Sequence, residues 1–143
     1  MTHMERRPKV FISHASTDTW VAAQIEGHIQ RCGAETFLDA VHIHHGDAFD
    51  ARIIEAARDS TEMLVLFTPA ARERRYIWTE IGMFMVAEKR IVAVLYGVTP
   101  DELATDRLTP VTIKGLDSVL IDDLDSYFTQ LRGRVAAWEA NHG

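Results

Sequence analysis

Two apolar segments decide the fold of this chain, Met63-Leu-Val-Leu-Phe67 and Ile91-Val-Ala-Val-Leu-Tyr96. Neither segment alternates apolar with polar side chains, so a strand formed from either one is apolar on both faces. Such a strand has to be covered on both faces, which is typical of a parallel sheet with helices on either side. Three shorter apolar runs predict the remaining strands: Val10-Phe-Ile12, Thr36-Phe-Leu38 and Val119-Leu-Ile121.

Segments with the hydrophobic spacing of helices separate these runs. The first helix is predicted over residues 18–32, with capping chemistry in Ser16-Thr17-Asp18 and a stop at Gly33. The second predicted helix begins at Asp47, and the third covers about residues 76–89. The last is entered through Asp122-Asp123 and is marked by apolar residues from Leu124 to Trp138. Residues 98–113 are interpreted as a loop with room for one turn. Right-handed crossovers then predict an α/β, flavodoxin-like three-layer sandwich, with a five-stranded parallel sheet in the order 2-1-3-4-5.

Length and composition describe one globular domain over residues 1–143, with residues 1–8 as a flexible N-terminus. A hydrophobic content of 47% supplies a sizeable core, and a formal net charge of −6 argues against binding to nucleic acid phosphates. The start of the chain lacks the apolar core of a secretion signal. No apolar stretch approaches the roughly 20 residues that cross a bilayer. We therefore expect a cytoplasmic protein without nucleic acid or membrane partners.

The segment from Tyr76 to Ala87 carries one charged side chain, Glu80, among apolar neighbours. A carboxylate against apolar walls is costly to ionise, so it needs a partner or a chemical role. In parallel sheets, ligands bind beyond the carboxyl ends of the strands. Because the helix of Glu80 follows the third predicted strand and its loop, Glu80 is predicted to face that crevice. The alternative is a Glu on the wet edge of an amphipathic helix.

Three motifs resemble those of Toll/interleukin-1 receptor (TIR) domains of the bacterial type. The opening Val10-Phe-Ile-Ser-His-Ala-Ser-Thr-Asp18 resembles the first motif, and Tyr76-Ile-Trp-Thr-Glu80 resembles the third, where an aromatic residue precedes a Glu by four positions. Several residues between them resemble the family's second strand, BB loop and second helix: Leu38-Asp39, Gly46-Asp47, Phe49, Ile53 and Ser60. The resemblance extends from about residue 8 to residue 140.

The resemblance implies an enzyme that cleaves the nicotinamide–ribose bond of NAD+, with Glu80 as the catalytic carboxylate. Ordinary glycosidases need two carboxyl groups, one of which protonates the leaving oxygen. Nicotinamide in NAD+ is already a cationic pyridinium and leaves as a neutral molecule, so a single ionised carboxylate suffices. The implied product is either ADP-ribose or a cyclic form of it. NAD+ is then the substrate, and no cofactor or metal is implied.

The resemblance also implies substrate contacts at five further positions: Ser13, His14, Asp39, His44 and Tyr76. His14 is placed near the adenine or ribose, and Tyr76 is placed to stack on the nicotinamide. Each has a structural alternative: for His14, a loop histidine bonded to backbone, and for Tyr76, a side chain that packs the helix. Asp39 has the alternative of capping its loop.

The BB loop, about Ala40 to Gly46, is implied to carry self-association with other TIR domains and to border the site. Its histidines at 42, 44 and 45 allow two hypotheses, a metal site or assembly that depends on pH, and sedimentation at pH 6 and pH 8 tests the latter. The run Arg72-Glu-Arg-Arg75 either meets substrate phosphates or is a solvated surface. Trp78 and Cys32 are predicted to be packing residues.

The leading interpretation is an NAD+-consuming TIR domain in signalling or antiviral defence that is activated by self-assembly. An upstream activator or a downstream effector is implied as a further partner. One alternative is a non-catalytic TIR adaptor that acts through protein contacts alone. Another is an enzyme similar to nucleoside deoxyribosyltransferases, which share the layered fold and an active-site Glu.

Overall fold

The computed structural model of the chain describes residues 6–38, 51–105 and 117–142. Within these ranges it forms one five-stranded sheet in the order β2-β1-β3-β4-β5, with every neighbouring pair parallel. The strands are β1 (Lys9–Ser13), β2 (Glu35–Leu38), β3 (Glu62–Phe67), β4 (Arg90–Leu95) and β5 (Asp117–Leu120). The predicted topology is therefore confirmed.

Five α-helices are present in the described ranges: α1 (Thr19–Arg31), α2 (Ala51–Asp59), α3 (Arg75–Val86), α4 (Pro100–Thr105) and α5 (Leu124–His142). Helix α3 ends three residues before its predicted limit at Lys89. The backbone of Glu88 is left-handed with φ 57°, and the amide of Lys89 donates to the Phe84 carbonyl at 3.0 Å. This pattern closes a helix because it satisfies the last free carbonyl groups.

Helix α4 lies in the segment that the sequence analysis interpreted as a loop with room for one turn. Thr99 caps it, because the Glu102 amide donates to Thr99 Oγ1 at 3.1 Å and the Thr99 amide donates to Glu102 Oε1 at 3.3 Å. Pro100 occupies the first helical position, where the missing N–H has no cost. The sequence Thr-Pro-Asp-Glu is a capping box, so the start of this helix could have been predicted from the sequence.

Two apolar layers enclose the sheet, as the fully apolar strands predicted. One layer packs α2 and α3 against one face, and the other packs α1 and α5 against the opposite face. Alternate residues of β3 divide between them, with Met63, Val65 and Phe67 on the α2/α3 side and Leu64 and Leu66 on the α1/α5 side. Fully burying one such side chain stabilises the fold by about 1.5–3 kcal/mol.

The first described residues are held against the domain. Arg6 Nη1 donates to the Arg58 carbonyl at 3.2 Å, and Arg7 Nε donates to the Gly33 carbonyl at 2.9 Å. The Pro8 carbonyl accepts from the Glu35 amide at 2.9 Å, which continues the pairing of β1 with β2. Three residues assigned from sequence to a flexible start therefore make specific contacts. In the described part of the chain, no helix has the length and apolar character needed to span a membrane.

Candidate active site at the carboxyl edge of the sheet

Glu80 is positioned by the way α3 packs. Ile77, Ile81 and Phe84 form the buried stripe of this helix, with 0%, 0% and 1% of their surface exposed. Glu80 lies one residue before Ile81 and three after Ile77, so helical geometry places it on the flank of the same stripe. It has no exposed surface. The alternative of a Glu on a wet helix edge is therefore wrong.

Ser13, the last residue of β1, is the hydrogen-bond partner of Glu80. Its hydroxyl donates to Glu80 Oε1 at 2.5 Å, and Ser13 also has no exposed surface. Side chains alternate along a strand, so Ser13 points to the same face as Phe11, which is the face covered by α2 and α3. An O–H···O distance of this length is typical of a hydroxyl bonded to a carboxylate.

Tyr76 joins the start of α3 to the loop that follows β1. Its hydroxyl donates to the backbone carbonyl of His14 at 2.8 Å. Tyr76 precedes Glu80 by four residues, so both side chains project from the same face of the helix. The structure therefore gives Tyr76 a role in positioning the loop backbone. Its predicted stacking on nicotinamide stays a prediction.

His14 is buried beside this pair, with 1% of its surface exposed. Its Nδ1 lies 2.7 Å from the Ala15 carbonyl, which can only accept, so Nδ1 carries the proton of that hydrogen bond. In the neutral ring, Nε2 is then an acceptor. Nε2 is buried and finds no hydrogen-bond partner among the described residues. A buried polar atom without a partner is uncommon and needs an explanation, which a bound ligand would supply.

A second connection, which the sequence analysis missed, fixes the loop after β1. Thr68, the residue after β3, donates from Oγ1 to Asp18 Oδ2 at 2.5 Å and accepts from the Ala71 amide at 3.1 Å. The run Ser16-Thr17-Asp18 was expected to supply the cap of α1. Asp18 occupies the N-cap position, but its side chain makes no capping bond and accepts from Thr68 instead. Asp18 and Thr68 each follow the carboxyl end of a predicted strand, and that position is the sequence signal that could have identified them.

The remaining candidates divide into those that the structure places and those outside its described residues. Trp78 packs on Phe67 with ring centroids 5.3 Å apart, which confirms a packing role. Cys32 is buried with 7% exposure, as expected of a core thiol. Arg72 lies 4.0 Å from Glu102 in a half-exposed ion pair. Asp39, His44 and the BB loop lie outside the described residues, so their assignments stay predictions.

Comparison with known proteins places this fold in a family. A family model for the TIR domain matches residues 10–131. The chain belongs to the TIR domain family. A probable 2′ cyclic ADP-D-ribose synthase from Brachypodium distachyon is 29% identical over 130 residues, which make up 90% of this chain and 56% of that protein. This TIR domain thus spans little more than half the length of that relative.

Solved TIR structures share the architecture. The TIR domain of a Toll-related receptor from Hydra magnipapillata has a TM-score of 0.61 at 19% identity, covering 86% of this chain and 97% of that one. The TIR domains of the activated Roq1 resistosome, which directly recognises the pathogen effector XopQ, have a TM-score of 0.57 at 17% identity, covering 92% and 78%. Identities this low establish the shared fold alone. The fold and the family inferred from sequence are confirmed.

Proposed function

We propose that this TIR domain cleaves the nicotinamide–ribose bond of NAD+, with Glu80 as the catalytic carboxylate. The observation that carries the proposal is the position of Glu80, which is fully buried at the carboxyl edge of the sheet and bonded through Oε1 to Ser13. Ligands of open α/β sheets bind at this edge. The name of the Brachypodium relative, a probable 2′ cyclic ADP-D-ribose synthase, supports the same class of chemistry.

The chemistry requires one anionic group. The bond between ribose C1′ and the pyridinium nitrogen breaks with its electron pair going to nitrogen, so nicotinamide leaves neutral without a general acid. Positive charge develops on the ribose ring, where ionised Glu80 stabilises it and accepts hydrogen bonds from the ribose hydroxyls. A water oxygen then bonds to C1′ and releases a proton, which yields ADP-ribose. Attack by a nucleophile within ADP-ribose yields a cyclic product instead. NAD+ is the substrate, and no separate cofactor takes part.

Ser13 and His14 complete this assignment. The hydrogen bond that Ser13 donates to Glu80 favours the charged carboxylate, which the reaction needs. The Nε2 acceptor of His14 is available to a substrate N–H or O–H group. Asp39, His44 and Tyr76 are proposed as further contacts to the same substrate.

Self-assembly is proposed as the activating step, in cytoplasmic signalling or antiviral defence. Glu80 has no exposed surface in the single chain, so contact with a ribose requires the carboxyl edge to open. We propose that a second TIR domain, bound through the BB loop at about Ala40 to Gly46, drives this opening. The TIR domains of the Roq1 resistosome belong to an assembly and support this part of the proposal.

Mass spectrometry of NAD+ incubated with the protein tests the proposal. The wild type at high concentration is expected to release nicotinamide together with ADP-ribose or a cyclic form. Glu80→Gln keeps the shape but removes the charge, and it is expected to reduce turnover about 100-fold or more. The control Glu139→Gln changes an exposed carboxylate on α5 and is expected to leave turnover unchanged.

Three outcomes would overturn or replace the assignment. Wild-type turnover that survives in Glu80→Gln shows that the carboxylate is not the catalytic group. Absence of turnover at every protein concentration, including in the assembled state, favours a TIR adaptor that acts through protein contacts. Base exchange on deoxynucleosides without NAD+ cleavage favours the deoxyribosyltransferase-like alternative.

A further inference from the structure

The loop after β1, residues 14–18, borders the crevice where the strand order of the sheet reverses. In the order β2-β1-β3-β4-β5 this reversal lies between β1 and β3, and ligands of doubly wound sheets bind outside the carboxyl ends of the strands at that point. The pairing of β1 with β3 ends at Ser13 and Val65. From His14 onward, the position of the chain therefore depends on contacts other than strand pairing.

Two side-chain hydrogen bonds tie this loop to other elements. At its start, the Tyr76 hydroxyl of α3 donates to the His14 carbonyl at 2.8 Å. At its end, Thr68 donates from Oγ1 to Asp18 Oδ2 at 2.5 Å. Thr68 directly follows β3, so the second bond joins the β1 side of the crevice to the β3 side. Thr68 lies three residues past Val65, which is level with the end of β1, so this bond lies roughly 10 Å beyond that strand.

Thr68 is itself held firmly. It is 2% exposed, its Oγ1 accepts from the Ala71 amide at 3.1 Å, and its carbonyl accepts from the Arg72 amide at 3.2 Å. Its acceptor Asp18 is half-buried, and the Asp18 amide donates to the Ala15 carbonyl at 2.9 Å. A hydrogen bond from a hydroxyl to a carboxylate is stronger than one between neutral groups. The far end of the loop is thus anchored to a rigid donor.

The loop and the catalytic carboxylate are held by different contacts. The loop begins with His14, whose buried Nε2 has no hydrogen-bond partner among the described residues. Glu80 extends from α3 and accepts from Ser13, which is fixed within β1 by strand pairing. Neither of these supports involves the bond between Thr68 and Asp18. Loss of that bond is therefore expected to loosen the loop that presents His14 while the carboxylate stays in place.

We propose that Thr68 and Asp18 are positioning residues of the candidate active site, whose hydrogen bond fixes the separation of the β1 and β3 loops and thereby the position of His14 against the substrate. This role rests on the proposed cleavage of NAD+, and neither residue needs to touch NAD+ to fulfil it. A contact that is equally strong in the bound substrate and in the transition state changes KM and leaves kcat unaltered. Breaking the bond therefore acts on KM.

Steady-state cleavage of NAD+ by the full chain, at one high protein concentration, tests the proposal. Thr68→Val removes the hydroxyl and is expected to raise KM about tenfold or more, with kcat changed by less than about twofold. Thr68→Ser keeps the hydroxyl and is expected to restore a KM close to that of the wild type. Asp18→Asn keeps a neutral acceptor oxygen and is expected to give a KM between those of the wild type and Thr68→Val.

Thr61 offers a matched control at the opposite end of β3. Its Oγ1 also donates once, to the Lys9 carbonyl at 3.1 Å, and accepts once, from the Lys9 amide at 3.0 Å. Thr61→Val is therefore expected to cost a similar amount of stability in urea denaturation, but to leave KM and kcat unchanged. The comparison separates the position of the lost hydroxyl from a general loss of stability.

Hydrogen exchange of the Asp18 amide tests the same bond without NAD+. In Thr68→Val this amide is expected to exchange at least about tenfold faster than in the wild type, because the loop opens more often. In Thr61→Val it is expected to exchange at the wild-type rate. The amide of Ile12, inside β1, is expected to be unaffected by Thr68→Val.

Several results would overturn the positioning role. These are an unchanged KM in Thr68→Val, an equal increase of KM in Thr61→Val, and a decrease of kcat at constant KM, which would place the effect on the transition state. A wild type without any turnover refutes the proposed NAD+ chemistry instead. In that case, unchanged exchange of the Asp18 amide in Thr68→Val would show that Thr68 does not hold the loop. If Thr68→Val does not fold, Asp18→Asn replaces it in each comparison, and an unaltered KM in that variant rejects the role.

Discussion

Replacement of Ser13 by Ala is expected to lower the free energy of unfolding by about 1.5–3 kcal/mol, the usual contribution of a hydrogen bond to a charged group. The Ser13 hydroxyl lies 2.5 Å from Glu80 Oε1, and both residues are 0% exposed, so water cannot take the place of the lost donor. The substitution removes one oxygen and adds no bulk. For a domain of this size, the loss corresponds to a decrease of roughly 5–10 °C in the melting temperature.

The chain offers a matched control in Ser60. Its side chain is 1% exposed, and its hydroxyl donates at 2.7 Å to the carbonyl of Ala56, which is a neutral acceptor. That carbonyl also accepts the Ser60 amide at 3.0 Å, so it keeps a partner after the hydroxyl is removed. Ser60→Ala is therefore expected to cost only about 0.5–1 kcal/mol. The difference between the two substitutions isolates the effect of the charged acceptor.

Urea denaturation followed by circular dichroism measures both changes, with similar m-values as the sign that the unfolding transition itself is unaltered. In the Glu80→Gln background, Ser13 bonds to a neutral amide oxygen, so Ser13→Ala is expected to cost about as little as Ser60→Ala. If Ser13→Ala and Ser60→Ala cost the same in the wild type, Glu80 is not a charged acceptor. The catalytic assignment would then lose its electrostatic basis.

Two further predictions concern stability. Burial and, next, the charge of Glu62 raise the pKa of Tyr127 well above its ordinary value of 10.0, so the unfolded chain loses this proton at a lower pH than the folded chain does. The contribution of neutral Tyr127 to the free energy of unfolding is complete below pH 10 and decreases as the pH rises above it, by at most about 1.4 kcal/mol per pH unit. Denaturation curves between about pH 9 and 11 are therefore expected to show a smaller loss of stability with pH in Tyr127→Phe than in the wild type. An equal loss in the two proteins would contradict this prediction. Gly33 has φ 95°, and an added Cβ would lie 2.9 Å from Val135 Cγ1, so Gly33→Ala is expected to destabilise the domain by about 2–4 kcal/mol. At Gly82 in α3 an added Cβ meets nothing within 4 Å, so Gly82→Ala is expected to stabilise it by about 0.5–1 kcal/mol, and thermal melts in which both variants move the same way would refute the contrast.

The elements that were predictable from sequence are those whose signal is local. The apolar strands β3 and β4, the two-sided cover that they need, and the amphipathic helices α1, α3 and α5 follow from side-chain periodicity within one segment. Short-range signals also placed Glu80 in an apolar helix near the carboxyl edge. The segment of α4 was predicted as a loop with room for one turn, because Pro100 and Pro110 fall within it and its helical pattern is weak, although the capping box at Thr99 marks where the helix starts.

The contacts of the site depend on residues far apart in the chain. Ser13 and Glu80 are separated by 67 positions, and Asp18 and Thr68 by 50. Asp18 illustrates the limit, since its local sequence indicates a helix cap while a neighbouring strand end supplies a better donor. The sequence of either segment alone contains no information on that competition.

The amino acid order by itself thus determined the layers, the strand order and the family, because these depend on local periodicity, on motifs and on the fixed hand of the crossovers. Only the tertiary structure decided that Ser13 bonds to Glu80, that His14 keeps a buried acceptor, and that Thr68 bonds to Asp18. Those features arise where separate segments meet. Hydrogen bonds and Coulomb interactions act over a few ångströms in space, whatever the separation along the chain.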